Sequence, residues 1–400
     1  MPAQHDLMKN TNALSILSYI RSYGASTRRK IQFATELSWA TVSNITAELL
    51  DRHVLTEYEQ SEKSTGRTPT ILDFAPGRNL CIGLEINIEG LTAVLLDLRC
   101  QVLDQIECPI VKAERDSTIE QLTGMIDHIL SKNSISSGQL MGIGVAVQGS
   151  VDGDSSVSLY NHYIRDWRNV PLKKLLEERY GVETVILHDP VCMAAYDKWK
   201  WARSSNEDFV LIRLAYGIGM GYMINGEVLR GYQGTAGELG HTIVNPNGPE
   251  CICGNRGCLE SYCSVRGIAR RAWEVLDTDG HPFDDDDVEY MEQLLKKAAD
   301  LARGGDSAMK KLFDEAGEYL GIGISNLVNI LNPQHIVISG ALCSCDDLFL
   351  DRAIKRAKQL RWPLSDYSIH VNEDELAAPI GAALKLINDA FSNLDSKLLR

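Results

Sequence analysis

Residues 214–260 read LAYGIGMGYMINGEVLRGYQGTAGELGHTIVNPNGPECICGNRGCLE. The end of this stretch carries one imidazole and three thiols: His241, Cys251, Cys253 and Cys258. Four such ligands at this spacing close around one tetrahedral ion, and a Cys₃His set suits a structural Zn²⁺. Upstream, Gly217, Gly219 and Gly221 punctuate an apolar run, the pattern of a strand, a tight turn and a second strand. Between turn and thiols, Gly237-Glu238-Leu239-Gly240-His241 sets a carboxylate beside the metal-binding histidine.

Working outward, the pattern around this stretch occurs twice. DFVLIRLAYGIGMGYMINGEVL is followed by helical segments and ends with the strands QHIVISGAL and YSIHVNE. Earlier, the run LCIGLEINIEGLTAVLLDLRCQVLDQIECPI holds three strand-like pieces, and the helix STIEQLTGMIDHILSK and the strand LMGIGVAVQGSV follow. The helix LKKLLEERYG, the strand TVILHDP and a helix beginning near Val191 come next. Two successive units of hairpin-then-helix order predict a duplicated α/β body of two lobes with a cleft between them. Residues 81–200 form the first lobe, completed by a C-terminal helix at 376–400, and residues 201–375 form the second, with the zinc site. The acidic stretch HPFDDDD at His281–Asp287 reads as a solvated loop.

The first 80 residues are of another kind. Residues 11–23 carry Leu14, Ile16, Leu17, Ile20 and Tyr23 at helical spacing, and Gly24 ends that helix. Ser26 is read as the cap of a second helix whose first turn holds Arg28, Arg29 and Lys30, with Arg28 expected among the DNA contacts. After a turn at Leu37-Ser38, Ser38 caps a third helix, WATVSNITAELLDR, with Val42, Ile45, Leu49 and Leu50 inward. Trp39, Thr41, Ser43, Asn44 and Thr46 are then expected on its open face, where such side chains reach base edges and phosphates. The β-like runs HVLTEYEQ and PTILDFAPG flank a turn containing Gly66 and Arg67. The whole is a winged helix-turn-helix with a cationic tip small enough for a minor groove. A helical module for protein contacts is the other reading of this segment.

Charge supports the division. The net charge is −14, yet residues 1–80 hold 9 Lys and Arg against 8 Asp and Glu, leaving 31 against 46 for the rest. An acidic body is repelled by phosphate, while a neutral-to-basic head can approach it. A length of 400 residues predicts two or three domains, and 44% hydrophobic with 24% charged residues is the composition of a globular chain. Nothing approaches an apolar run of about 18 residues, and the N-terminus lacks signal-peptide features, so no membrane span and a cytoplasmic location are expected. Without a secretion signal, the ten cysteines are not expected to form a disulfide framework. Cys343 and Cys345 have no partner nearby that would make a second soft site.

The glycine turn, Gly231, GELGH and the CxCGxxGCxE segment from Cys251 to Glu260 together resemble the signature of the ROK family of repressors and sugar kinases. The front, with LSWATVSNITAELLDR and Gly66-Arg67, resembles its sugar-responsive, xylose-repressor-like branch. The resemblance implies an actin-like (ribonuclease H-like) sugar-kinase fold, a sugar in the interlobe cleft, and dimers or tetramers. It implies that Glu238, His241 and Glu260 hold sugar hydroxyls, joined by Asn161 and by His188 and Asp189 of the HDP segment. In the family's kinases the Asp189 position is the catalytic base; here it is read as its vestige, binding a hydroxyl.

One departure bears on catalysis. Where the family's kinases carry Asp-x-Gly-Gly-Thr to admit ATP phosphates, this chain has GLEINIEG, with Glu85, Asn87, Ile88 and Glu89. The glycines that let backbone approach phosphate are missing, and Glu89 adds an anion. The sequence thus predicts no enzyme but a transcriptional regulator, with an operator DNA and a small carbohydrate as partners and one structural zinc per chain. The alternatives are an active sugar kinase with a regulatory head, and a regulator docking a protein instead of a sugar.

Overall fold

The computed structural model describes all residues except 1, 60–69, 153–156, 162, 202–207, 225–226, 230, 233–235, 277–281, 286, 373, 393–397 and 399–400. The head is built from α1 (Pro2–Tyr23), β1 (Ser26–Thr27), α2 (Arg28–Thr35), α3 (Trp39–Asp51), β2 (Leu55–Glu59) and β3 (Thr70–Phe74). The first helix begins earlier than its apolar spacing predicts. Ser26 is not the cap of α2: it pairs with Leu72 in the sheet, and the Thr27 side chain accepts from Lys30 N instead. Ser38 does cap α3, accepting from Thr41 N at 3.1 Å. Strands β2 and β3 are the antiparallel arms of the wing, and the turn with Gly66 and Arg67 lies outside the described residues.

The body repeats one plan. Its first half runs β4 (Leu80–Ile86), β5 (Leu91–Leu96), β6 (Val102–Cys108), α4 (Arg115–Lys132), β7 (Leu140–Val147), β8 (Ser150–Asp152), β9 (Val157–Tyr160), β10 (Arg168–Val170), α5 (Leu172–Tyr180), β11 (Glu183–His188) and α6 (Asp189–Trp201). Its second half runs β12 (Phe209–Leu214), β13 (Ile218–Ile224), β14 (Glu227–Val228), α7 (Glu260–Cys263), α8 (Val265–Val275), α9 (Val288–Arg303), α10 (Ser307–Leu331), β15 (His335–Ser339), α11 (Asp346–Leu360), β16 (Ser368–Asn372) and α12 (Ala377–Ser392).

The two main sheets have orders β11-β7-β4-β5-β6 and β14-β13-β12-β15-β16. In each, three sequential strands pair antiparallel and two more add in parallel after helical crossovers. This is the duplicated actin-like arrangement. The central strands β4, β7 and β12 are buried along their whole length, as strands covered on both faces must be. Helices α6 and α12 pack on each other, α12 also against β4, β5 and β7, and α6 against β12 and β13.

One apolar cluster joins head to body, with Leu17 and Ile20 of α1, Leu96 and Leu98, and Leu384 and Ile387 of α12. Leu17 and Ile20 are fully buried, each stabilising by roughly 1.5–3 kcal/mol. Polar ties run beside it: Arg21 Nη1 donates to Asn388 Oδ1 at 2.9 Å, and Arg99 pairs with Asp73. Phe74 of the wing strand meets Phe391 of α12 edge to face, with centroids 6.2 Å apart.

Candidate functional site

The site lies where β11, α6, the β12–β13 hairpin and the thiol loop converge. Asp189 opens α6, so its carboxylate sits at the helix's positive end. Strand β13 presses on that end: a Cβ at Gly221 would fall 2.3 Å from Pro190 O. At the start of the same strand, a Cβ at Gly217 would meet Glu260 Oε2 at 2.7 Å, while Ile218 N donates to that oxygen at 2.9 Å. The glycine turn therefore admits Glu260 against bare backbone.

The six expected ligand-contacting residues, Asn161, His188, Asp189, Glu238, His241 and Glu260, line one cavity of about 400 Å³. His241 Nε2 lies 3.9 Å from Glu238 Oε2, and His188 Nε2 lies 3.3 Å from Asp189 Oδ1. Asn161 is nearly fully buried; its Oδ1 accepts from Tyr163 N at 2.9 Å and its Nδ2 donates to Gln148 O at 3.0 Å. Trp167 is buried and donates through Nε1 to Ser158 Oγ, a packing role.

The thiol loop folds as its spacing predicts. The ligand atoms of His241, Cys251, Cys253 and Cys258 all lie within 4.8 Å of one another, the one such His/Cys/Asp/Glu group among the described residues. Cys253 Sγ and Cys258 Sγ are 3.7 Å apart, and Cys251 Sγ is 3.7 Å from His241 Nδ1. A tetrahedral zinc sets edges of about 3.8 Å between thiolates and about 3.6 Å from thiolate to imidazole. The donor set fits. The hydrogen bond to Cys251 holds His241 up to about 9. Burial opposes ionisation of Cys251, yet the His241 bond brings it down to about 7. With Nδ1 turned to the thiols, Nε2 is the nitrogen left for the cavity.

A second cavity, of about 830 Å³, lies on the other side of Arg213, which lines both. Its walls include Glu85, Glu89, Glu107, Glu292, Asp374 and Glu375. The GLEINIEG turn is internally bonded: Asn87 Nδ2 donates to Glu85 Oε1 at 3.0 Å, and Gly90 N donates to Asn87 Oδ1 at 2.9 Å. Burial raises the pKa of both Glu85 and Glu89, against the pull of Arg213.

Sequence reasoning missed Arg213, Tyr163 and Arg266. A lone arginine inside FVLIRL was the available signal, because a charge in a buried strand demands a partner. Arg266 Nη2 donates to the Tyr163 hydroxyl at 2.8 Å across the lobes, and its Nε lies 3.3 Å from Asp285. The acidic stretch is thus not merely solvated: Asp285 meets that arginine and Asp287 caps α9, accepting from Tyr290 N.

On the head, Trp39 is 52% exposed, Asn44 is exposed, and Thr41 and Ser43 are half-buried. Thr46 is a correction. It is fully buried, since it stands one turn from Val42 on the inward face, and its Oγ1 accepts from Arg28 Nε at 2.9 Å. Arg28 is half-buried, bound to Thr46 and to Glu57 at 3.0 Å, so it braces the head; Arg29 and Lys30 are the exposed cations of that turn. No helix among the described residues is long and apolar enough to cross a membrane.

The ROK family model matches residues 81–386. The chain belongs to the ROK family. A putative xylose repressor from Caldicellulosiruptor sp. (strain Rt8B.4) is 30% identical over 397 residues, covering 97% of this chain and 98% of that one. The crystal structure of a ROK family transcriptional regulator, homologous to the E. coli MLC protein, is 25% identical with a TM-score of 0.77, and 98% of each chain is covered. A ROK family glucokinase from Streptomyces griseus, solved with glucose and AMPPNP, is 25% identical with a TM-score of 0.62. That match covers 98% of the kinase but 76% of this chain.

Proposed function

We infer that this chain is a sugar-responsive, DNA-binding transcriptional repressor. The observation that carries the reading is one chain with a winged helix-turn-helix docked on a body in which one cavity gathers Asn161, His188, Asp189, Glu238, His241 and Glu260. Residues 1–80 act as the DNA-reading head; residues 81–200 with the C-terminal helix, and residues 201–375, act as the two lobes. Trp39, Thr41, Ser43 and Asn44 face base edges, with Arg29, Lys30 and Arg67 on phosphates or in the minor groove. A symmetric dimer presents two heads to two half-sites.

In the cavity, Glu238 and Glu260 accept from sugar hydroxyls, and Asp189 accepts from another. His241 Nε2, protonated when Nδ1 is turned to a metal, donates. A structural zinc held by His241, Cys251, Cys253 and Cys258 supplies rigidity to the loop that presents His241 and Glu260. A sugar that closes the lobes moves α6, which starts at Asp189 and packs on α12, and α12 touches the head through Asn388 and Phe391. The sugar acts only by binding the two arrangements unequally.

The kinase reading is disfavoured by the second cavity, where polyphosphate would face Glu85, Glu89 and Glu107 without a glycine cradle. The test selects bound fragments from a random double-stranded DNA pool, then measures fragment affinity with and without D-xylose, D-glucose and N-acetyl-D-glucosamine. A sequence-selective complex whose affinity shifts about 10-fold with one sugar is the expected result. No sequence selection, or an unmoved affinity while the sugar binds, overturns the assignment.

A further inference from the structure

Arg213 is the penultimate residue of β12, with Gly219 of β13 on one side and Ser339 of β15 on the other. A guanidinium there is tolerated only if paired. Its Nη1 donates to Glu85 Oε1 at 3.1 Å, and to Asp189 Oδ2. Burial works against the charge, but Asp189 and Glu85 together hold Arg213 above its ordinary pKa.

Two polar atoms are left over. Arg213 Nε has no hydrogen-bond partner, and neither has Asp189 Oδ1, although His188 Nε2 is 3.3 Å from it. Arg213 is 9% exposed and Asp189 3%, and both residues line the cavity that holds Asn161 and Glu260; the two unpaired atoms themselves are closed to solvent in this arrangement, so a ligand meets them as the lobes shift around it. The remainder is one donor and one acceptor, on side chains already pinned to each other. An alcohol hydroxyl matches both kinds of group, because it gives one hydrogen and accepts through oxygen. A deoxy carbon satisfies neither, and a phosphate ester offers no hydrogen to the carboxylate.

We propose that Arg213 is a specificity residue for the effector: its Nε, with Asp189 Oδ1, reads one free hydroxyl of the bound sugar, while its Nη1 fixes Asp189 for that contact. This rests on the reading of the cavity as a sugar site. It adds a chemical class to that reading, a carbohydrate unesterified at the position facing Asp189. Both carboxylate oxygens are then engaged, one by the guanidinium and one by the ligand.

The test is calorimetric titration of the full chain with D-glucose, D-xylose and the monodeoxy analogues of each. Two variants are compared with the wild type after a melting curve shows them folded. Arg213→Lys keeps a positive charge between the two carboxylates but lacks Nε. Glu85→Gln with Arg213→Met removes the guanidinium together with one partner, so the net charge of the group is unchanged. In the wild type, loss of one particular hydroxyl is expected to weaken binding about 100-fold. In both variants that penalty is expected to shrink at least about 10-fold while penalties at other positions persist. An unchanged penalty profile, or equal shrinkage at every position, overturns the proposal, since a merely structural arginine produces one of those. If no sugar binds the wild type, the sugar reading itself fails, an outcome distinct from the other two.

Discussion

The two chambers of the cleft share Arg213 and little else. The smaller is walled by side chains that alternate donors with acceptors: Asn161, His188 and His241 beside Asp189, Glu238 and Glu260. In the larger, the charged side chains are six carboxylates against Arg213, which is turned toward Glu85. One suits a neutral polyol, whose hydroxyls both give and accept. The other repels a polyphosphate. Two lobes of the same duplicated plan thus enclose two chambers of different polar character, and on the proposed reading the smaller one serves recognition.

The largest effect expected is at the loop that walls the smaller chamber. Cys258→Ser should reduce bound zinc from about one per chain to almost none and cost about 4 kcal/mol or more in urea unfolding. Full stability without metal would break the link between the thiol loop and the chamber. Next, Glu238→Ala should weaken sugar binding by about 30-fold in calorimetry, while Glu107→Ala across the cleft should leave it unchanged. Equal losses from both would erase the distinction between the chambers. A change in the head should touch neither: Asn44→Ala is expected to weaken the selected DNA complex about 10-fold in a gel shift with sugar affinity intact.

The smallest effect lies beneath the larger chamber, where Asn372 donates to buried Asp197. Burial pushes that carboxyl up to about 7. The folded chain therefore keeps a proton that the unfolded chain releases, and stability falls as pH rises from about 4 to about 7. Asp197→Asn should flatten that decline by about 1 kcal/mol between pH 6 and pH 7 in urea unfolding. An identical slope in wild type and variant would remove the charge from that floor.

Much of this was legible in the chain. The thiol spacing, the glycine turn and the two hairpin-then-helix runs placed the thiol loop and the sheets, because metal ligation and close backbone approach leave few alternatives to the residue types used; the six cavity residues came from the resemblance to the ROK family. Helical periodicity placed α3 but erred on Thr46, a small polar residue that reads as surface until Arg28 is seen to need its hydroxyl. Ser26 failed as a cap because a strand claimed its backbone. The lone arginine in FVLIRL announced a buried charge, but its Glu85 partner and the Arg266–Tyr163 bond were illegible, since each joins residues from separate lobes and no local pattern announces a partner more than 100 positions away.

The most direct measurement is calorimetric titration of one full-length sample, first with D-xylose, D-glucose and N-acetyl-D-glucosamine, then with magnesium ATP. The account requires saturable heat from at least one sugar and none from nucleotide into the millimolar range. Micromolar nucleotide binding in the sugar complex would contradict it.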